Sequence, residues 1–195
     1  MINIDDLFIV HYCHPNCEPY MNICRLPKEA AFSLAYQMAL KNPETSAFYR
    51  FADFENYYLR RINTDEYLYS LFVSLGGKPK EKHPLSFVLQ GSSFLYNWFG
   101  NGSVHKIKLA DIPSEYISFT LGDSMSVFRK DGKMTLERHG ELTMWTKEKL
   151  LRATDEYAGT LNEFMNEIVK KYKYIEVQLW NDDYCTTSQY KHAKE

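Results

Sequence analysis

Two short apolar runs near opposite ends of the chain constrain its fold more than anything between them. Leu7 to Cys13 (LFIVHYC) and Tyr174 to Trp180 (YIEVQLW) are rich in β-branched and aromatic residues, and Pro15-Asn16 stops the first. Both read as strands. A strand backbone needs hydrogen-bonding neighbours, so the two are expected in one shared sheet. A length of 195 residues exceeds the usual single-domain size but falls short of two full domains, which predicts one domain over 1–195.

The segments between them are helical and extended in no regular order. Pro27 suits the first turn of a helix through PKEAAFSLAYQMALKN, in which Ala31, Leu34, Ala35 and Met38 share one face until Pro43 ends it. Asp53 can cap a second helix to about Ile62. Asn63 with Glu66 resembles a capping box, after which Tyr67, Leu68, Leu71, Phe72 and Leu75 continue to Gly76-Gly77, giving two helices or one bent one. The polar run Gly77 to Pro84 reads as a surface connection, Leu85 to Leu89 as a strand, and Gly91-Ser92-Ser93 as the start of a short helix. Strands are expected at Val104 to Leu109, Glu115 to Leu121 and Ser126 to Arg129, with a hairpin turn at Lys130-Asp131-Gly132-Lys133. Thr146 can cap the helix KEKLLRATDEY, and Gly159 separates it from another carrying Leu161, Phe164, Met165, Ile168 and Val169. Without strand–helix alternation the predicted class is α+β, a mixed, mostly antiparallel sheet with packed helices.

Composition excludes several functions. Lys plus Arg number 23 against 25 Asp plus Glu, a formal charge of −2, too balanced to hold an anionic polymer by charge alone, so no nucleic-acid partner is expected. An apolar share of 45% with 12 Phe, 3 Trp and 15 Tyr can bury a substantial core, unlike a disordered chain. No apolar run has the length of a bilayer span, and no basic segment followed by an apolar stretch opens the chain, so no membrane partner and a cytoplasmic location are expected. Four cysteines without an export signal read as reduced thiols, with Cys13 buried.

Three constellations carry candidate chemistry. His11, Cys13, His14 and Cys17 crowd one segment. Alternate strand residues diverge, however, and no second ligand pair closes a tetrahedron, so no metal is expected. Gly122-Asp123-Ser124-Met125 follows a strand and resembles the GDSL hydrolase signature, with Ser124 as nucleophile. That family places the signature on its first strand and pairs it with a late Asp-x-x-His, whereas His192 here has Gln189 three positions before it. A turn in which Asp123 or Ser124 caps nearby amides explains the same residues without chemistry.

The third spans most of the chain: His11 on the first strand, Phe87, Ser92 and Tyr96 in the middle, and Glu176 on the late strand. Its order resembles the ADP-ribosyltransferase-like superfamily, with His11-Tyr12-Cys13 and Asn22-Ile23 similar to the early histidine segment and Tyr174-Ile175-Glu176-Val177 similar to the strand bearing the glutamate. The resemblance implies an NAD-using enzyme. Glu176 would stabilise positive charge developing on the ribose, His11 would hydrogen-bond a ribose hydroxyl, and Tyr96 would stack on the nicotinamide. Ser92, Phe87 and Tyr12 would line the NAD site, Tyr12 standing where many members have glycine. NAD is thus the implied substrate and a small nucleotide the implied ligand. The plain alternative makes His11 a satisfied core histidine and sets Glu176 on a solvent face beside Lys173. RFADFENYYLRR, GGKPKEKHPLSFVL and YISFTLGDSM are also similar to a group of uncharacterised bacterial proteins, a likeness that implies no activity.

A non-catalytic binding or interaction protein is the competing class. Arg50, Arg60 and Arg61 among Tyr49, Phe51, Tyr57 and Tyr58 could bind a phosphate-bearing ligand, or form an internal ion-pair network with Asp53 and Glu55. Tyr172, Tyr174, Trp180 and Tyr184 form an aromatic group suited to an interface or to a core edge.

Overall fold

The computed structural model describes residues 3–127, 144–185 and 189–190. The first apolar run is strand β1 (Phe8–Cys13), and the last is β6 (Ile175–Leu179). Between and around them lie β2 (Leu85–Leu89), β3 (Ser103–Lys108), β4 (Ile117–Leu121), β5 (Met144–Thr146) and β7 (Gln189–Tyr190). These seven form one sheet in the order β5-β4-β6-β2-β1-β3-β7, every strand pair antiparallel. The two ends of the chain therefore do meet in one sheet, separated only by β2, and the class is α+β.

Helix α1 (Lys28–Lys41) begins after Pro27, as its fixed φ favours, and ends at Asn42 beside Pro43. Helix α2 (Phe54–Ser74) is a single element preceded by 3-10 turns over Ser46–Asp53. The expected capping box at Asn63 and Glu66 does not form: Phe54, Arg61, Asp65, Leu68 and Phe72 make one continuous buried stripe, and packing carries the helix straight through. Helix α3 (Ser93–Trp98) is capped by the Ser92 hydroxyl, α4 (Lys147–Glu156) by Thr146, and α5 (Leu161–Tyr172) by a full Thr160/Glu163 capping box. Ser124–Val127 forms a 3-10 turn rather than the start of the expected strand; residues 128–129 and the predicted hairpin turn at 130–133 lie outside the described residues.

The sheet separates two unlike environments. One face packs Ile9, Phe87, Leu89, Ile107, Phe119, Val177 and Leu179 against α4 and α5 through Leu150, Phe164 and Met165. The opposite face is partly polar. Ser118 donates to Gln178 at 3.0 Å, Gln178 donates to Thr120 at 3.0 Å, and the Trp180 indole donates to Ser118 at 2.9 Å, all of them buried. Closing these bonds internally is what makes their burial tolerable. Helix α2 covers this face, with Phe72 stacked on Trp180 at 5.4 Å, and α1 packs on α2. Among the described residues no helix is long and apolar enough to cross a membrane.

Candidate functional site

Glu176 pairs with Val88, and Val88 pairs with Val10, so these three residues form one row on the α2 face of the sheet. His11 is the next residue along β1 and its side chain points to the other face. There its ring sits 5.3 Å from both Tyr20 and Phe87 and 6.3 Å from His105. His11 and Glu176 nevertheless both line one large cavity, which Tyr96 does not, so the expected convergence of His11, Tyr96 and Glu176 is formed only in part. Strands β1 and β2 stop pairing after Val10 and Val88, and His11 fills the missing rung. Its Nδ1 lies 3.0 Å from the Ser86 carbonyl, an obligate acceptor, while Nε2 takes the Tyr20 amide at 3.2 Å. One neutral tautomer, Nδ1–H, satisfies both. Burial lowers its pKa to about 4, the Ser86 bond opposing only in part. Phe87 is a core residue on the α4/α5 side, and His11 lies half-buried beside it.

Ser92, Tyr12 and Tyr96 do come together on the α2 side. The Tyr12 hydroxyl accepts the Ser92 amide at 2.7 Å, and the Tyr12 and Tyr96 rings are 5.9 Å apart. Ser92 and Tyr96 border a depression of about 500 Å³ with Gln90 and Lys106. Tyr12 is the divider, because it also borders a larger cavity of about 840 Å³ that contains Glu176.

That larger cavity lies over the row Val10–Val88–Glu176. Leu34 and Met38 of α1, Tyr57 of α2, Phe94, Leu95 and Trp98 of α3, and Tyr172 to Tyr174 line it. Its polar end is built by three elements. Strand β6 supplies Glu176, only 7% exposed, rather than a solvent-facing residue beside Lys173. The turn after β4 supplies the Ser124 amide, which donates to Glu176 Oε2 at 2.7 Å. Helix α2 supplies Arg61, whose Nη1 stands 4.0 Å from Glu176 Oε1, beyond hydrogen-bonding distance. The guanidinium is committed elsewhere: Nε to Asp65 at 3.0 Å and Nη2 to the Ser86 hydroxyl at 3.1 Å. Burial opposes the Arg61 charge, but Asp65, Tyr57 and Glu176 hold its pKa above the usual value. Burial and then the Asp123 carboxylate push the Glu176 carboxyl upward, against Arg61 and the Ser124 amide.

The remaining candidates resolve into structural roles. His14 bonds Thr45 Oγ1 through Nε2 at 3.0 Å and takes the Asn16 amide on Nδ1 at 3.1 Å, so with His11 all four ring nitrogens have protein partners. Among the described residues no cluster of three or more His, Cys, Asp or Glu is arranged to hold a metal. Burial raises Cys13 to about 11 and Cys24 to about 12, which keeps both thiols protonated and poor as nucleophiles. Asp123 accepts the Met125 amide at 3.0 Å, the Asx turn of the plainer reading, and Ser124 is fully buried; His192 lies outside the described residues. Arg61 pairs with Asp65, Arg60 donates to the Met125 carbonyl, and Asp53 is bonded by Asn56; the Arg50 side chain, expected near Asp53 and Glu55, lies outside the described residues. Trp180 is core, Tyr184 packs near Tyr116, and Tyr172 and Tyr174 border the cavity.

Asp65 and the Ser124 amide are the site groups that the residue pattern did not single out. The first had a legible signal, four residues after Arg61 on one helix face. The second is a backbone group and carries none. Comparisons of the chain with protein-family models, with curated proteins and with solved structures found no match.

Proposed function

We propose that the protein is a small-molecule-binding module whose ligand occupies the cavity on the α2 face, with Glu176 as its polar anchor. The observation that carries this is a cavity of about 840 Å³ with aromatic and aliphatic walls and one buried, incompletely bonded carboxyl at its end. Small-molecule sites have this size, of roughly 300 to 1,000 Å³, and this mixture of apolar walls with few fixed polar groups. Nile red, a neutral apolar dye, tests it by fluorescence titration. The wild type is expected to bind one equivalent, and Leu34→Trp, which adds volume from the α1 wall, to abolish binding while keeping the fold. Dye binding that is absent, or that Leu34→Trp leaves untouched, would remove the cavity as the site.

A second proposal, an NAD-using enzyme, is favoured by one observation: Glu176, Tyr12, His11 and Phe87 border the same cavity. It has to work without hydrogen bonds from His11, whose ring nitrogens are both occupied on the other face. NAD turnover by the wild type that Glu176→Gln abolishes would replace simple binding with this chemistry.

A further inference from the structure

We infer that the ligand of this cavity is a small organic cation, a protonated or quaternary amine on an apolar body, with its charge facing Glu176. The inference rests on the binding role proposed above and deepens it.

The first ground is the state of the carboxyl. Glu176 is more than nine-tenths buried, yet only Oε2 accepts a hydrogen bond; Oε1 accepts none among the described residues. A buried carboxylate oxygen facing a cavity without a donor is a place where an incoming N–H or ammonium gains a partner at no cost of displacing another. The second ground is charge. Among the described residues Arg61 is the cation nearest Glu176 at the polar end, and it is already matched at 3.0 Å by Asp65. Asp123 and Glu18 also border the cavity, and among the described residues Lys173 is the other cation on its wall. A phosphate or carboxylate head would therefore meet the Glu176 carboxyl, whereas a cation would be attracted to it.

The third ground is independent of charge counting. The Lys173 ammonium sits 5.3 Å from the centroid of the Phe94 ring, and both residues line the cavity. This wall already holds a cation over an aromatic face, drawn from the chain's own side chains. Tyr57, Tyr174 and Trp98 extend the aromatic surface on which a quaternary or aliphatic ammonium is retained.

Displacement of bound Nile red by three probes of one shape tests the assignment: benzyltrimethylammonium, benzyl alcohol and phenylacetate. The cation is expected to displace the dye at about tenfold lower concentration than the alcohol, with the anion weakest. Glu176→Gln, which keeps the shape, is expected to bring the cation level with the alcohol. Lys173→Gln, which frees the Phe94 ring, is expected to strengthen the cation a few-fold and leave the alcohol unchanged; it decides the matter if the Glu176 variant does not fold. Displacement in which the anion equals the cation, no displacement by any probe, or a cation preference that survives Glu176→Gln overturns the cation assignment while leaving the cavity as a binding site. Failure of Nile red to bind at all is the separate failure of the binding role itself.

Discussion

His11 shows how far environment can detach a residue from its usual chemistry. Its side chain replaces a ladder hydrogen bond where β1 and β2 diverge, and both nitrogens are used in one tautomer. Its pKa of about 4 lies below the ordinary 6.5, so the unfolded chain binds this proton first as pH falls. The associated stability is present above pH 6.5 and is lost as pH drops toward 4, amounting to about 3 kcal/mol at full loss. Ring-nitrogen NMR shifts are expected to report the Nδ1–H tautomer and no protonation until about pH 4; an Nε2–H tautomer, or titration near 6.5, would contradict the placement. Glu176 departs in the opposite direction for a related reason, since burial with Asp123 beside it disfavours its charge. The types of both residues were legible as unusual for strands. Whether they serve one site was not, because type does not specify partner.

At the level of elements, periodic segments were readable and their sidedness was not. Pro27, the Gly91-Ser92-Ser93 run and Thr146 marked α1, α3 and α4, and Gly159 with the apolar spacing after it marked α5, while the three-residue β5 carried too short a pattern to be seen. The side on which His11 falls depends on the register Val10↔Val88↔Glu176. A slip of one residue would put His11 on the same face as Glu176, and nothing local to either strand encodes that choice. The turn from β2 into α3 fixes where the aromatic wall of the cavity stands. Gly91 there has φ +94°, and a Cβ would lie 2.9 Å from the Tyr12 hydroxyl. Gly91→Ala is accordingly expected to cost about 1–3 kcal/mol by urea denaturation, and an unchanged midpoint would show that the turn is not constrained as described.

On the scale of the whole molecule, the sheet sorts two kinds of interior. The α4/α5 face is filled by aliphatic and aromatic side chains and offers stability. The α2 face buries Gln178, Ser118, Thr120, Asp65, Arg61 and Glu176 beside an open volume, an arrangement that folding alone does not require. The central claim is that this volume holds a ligand at Glu176. The most direct measurement is a crystal soaked with para-bromobenzyl trimethylammonium, in which anomalous scattering locates the bromine. The account predicts a peak inside the cavity with the ammonium between Phe94 and Glu176. A peak confined to the depression beside Tyr96 or to the outer surface, or no peak at a saturating soak, would contradict it.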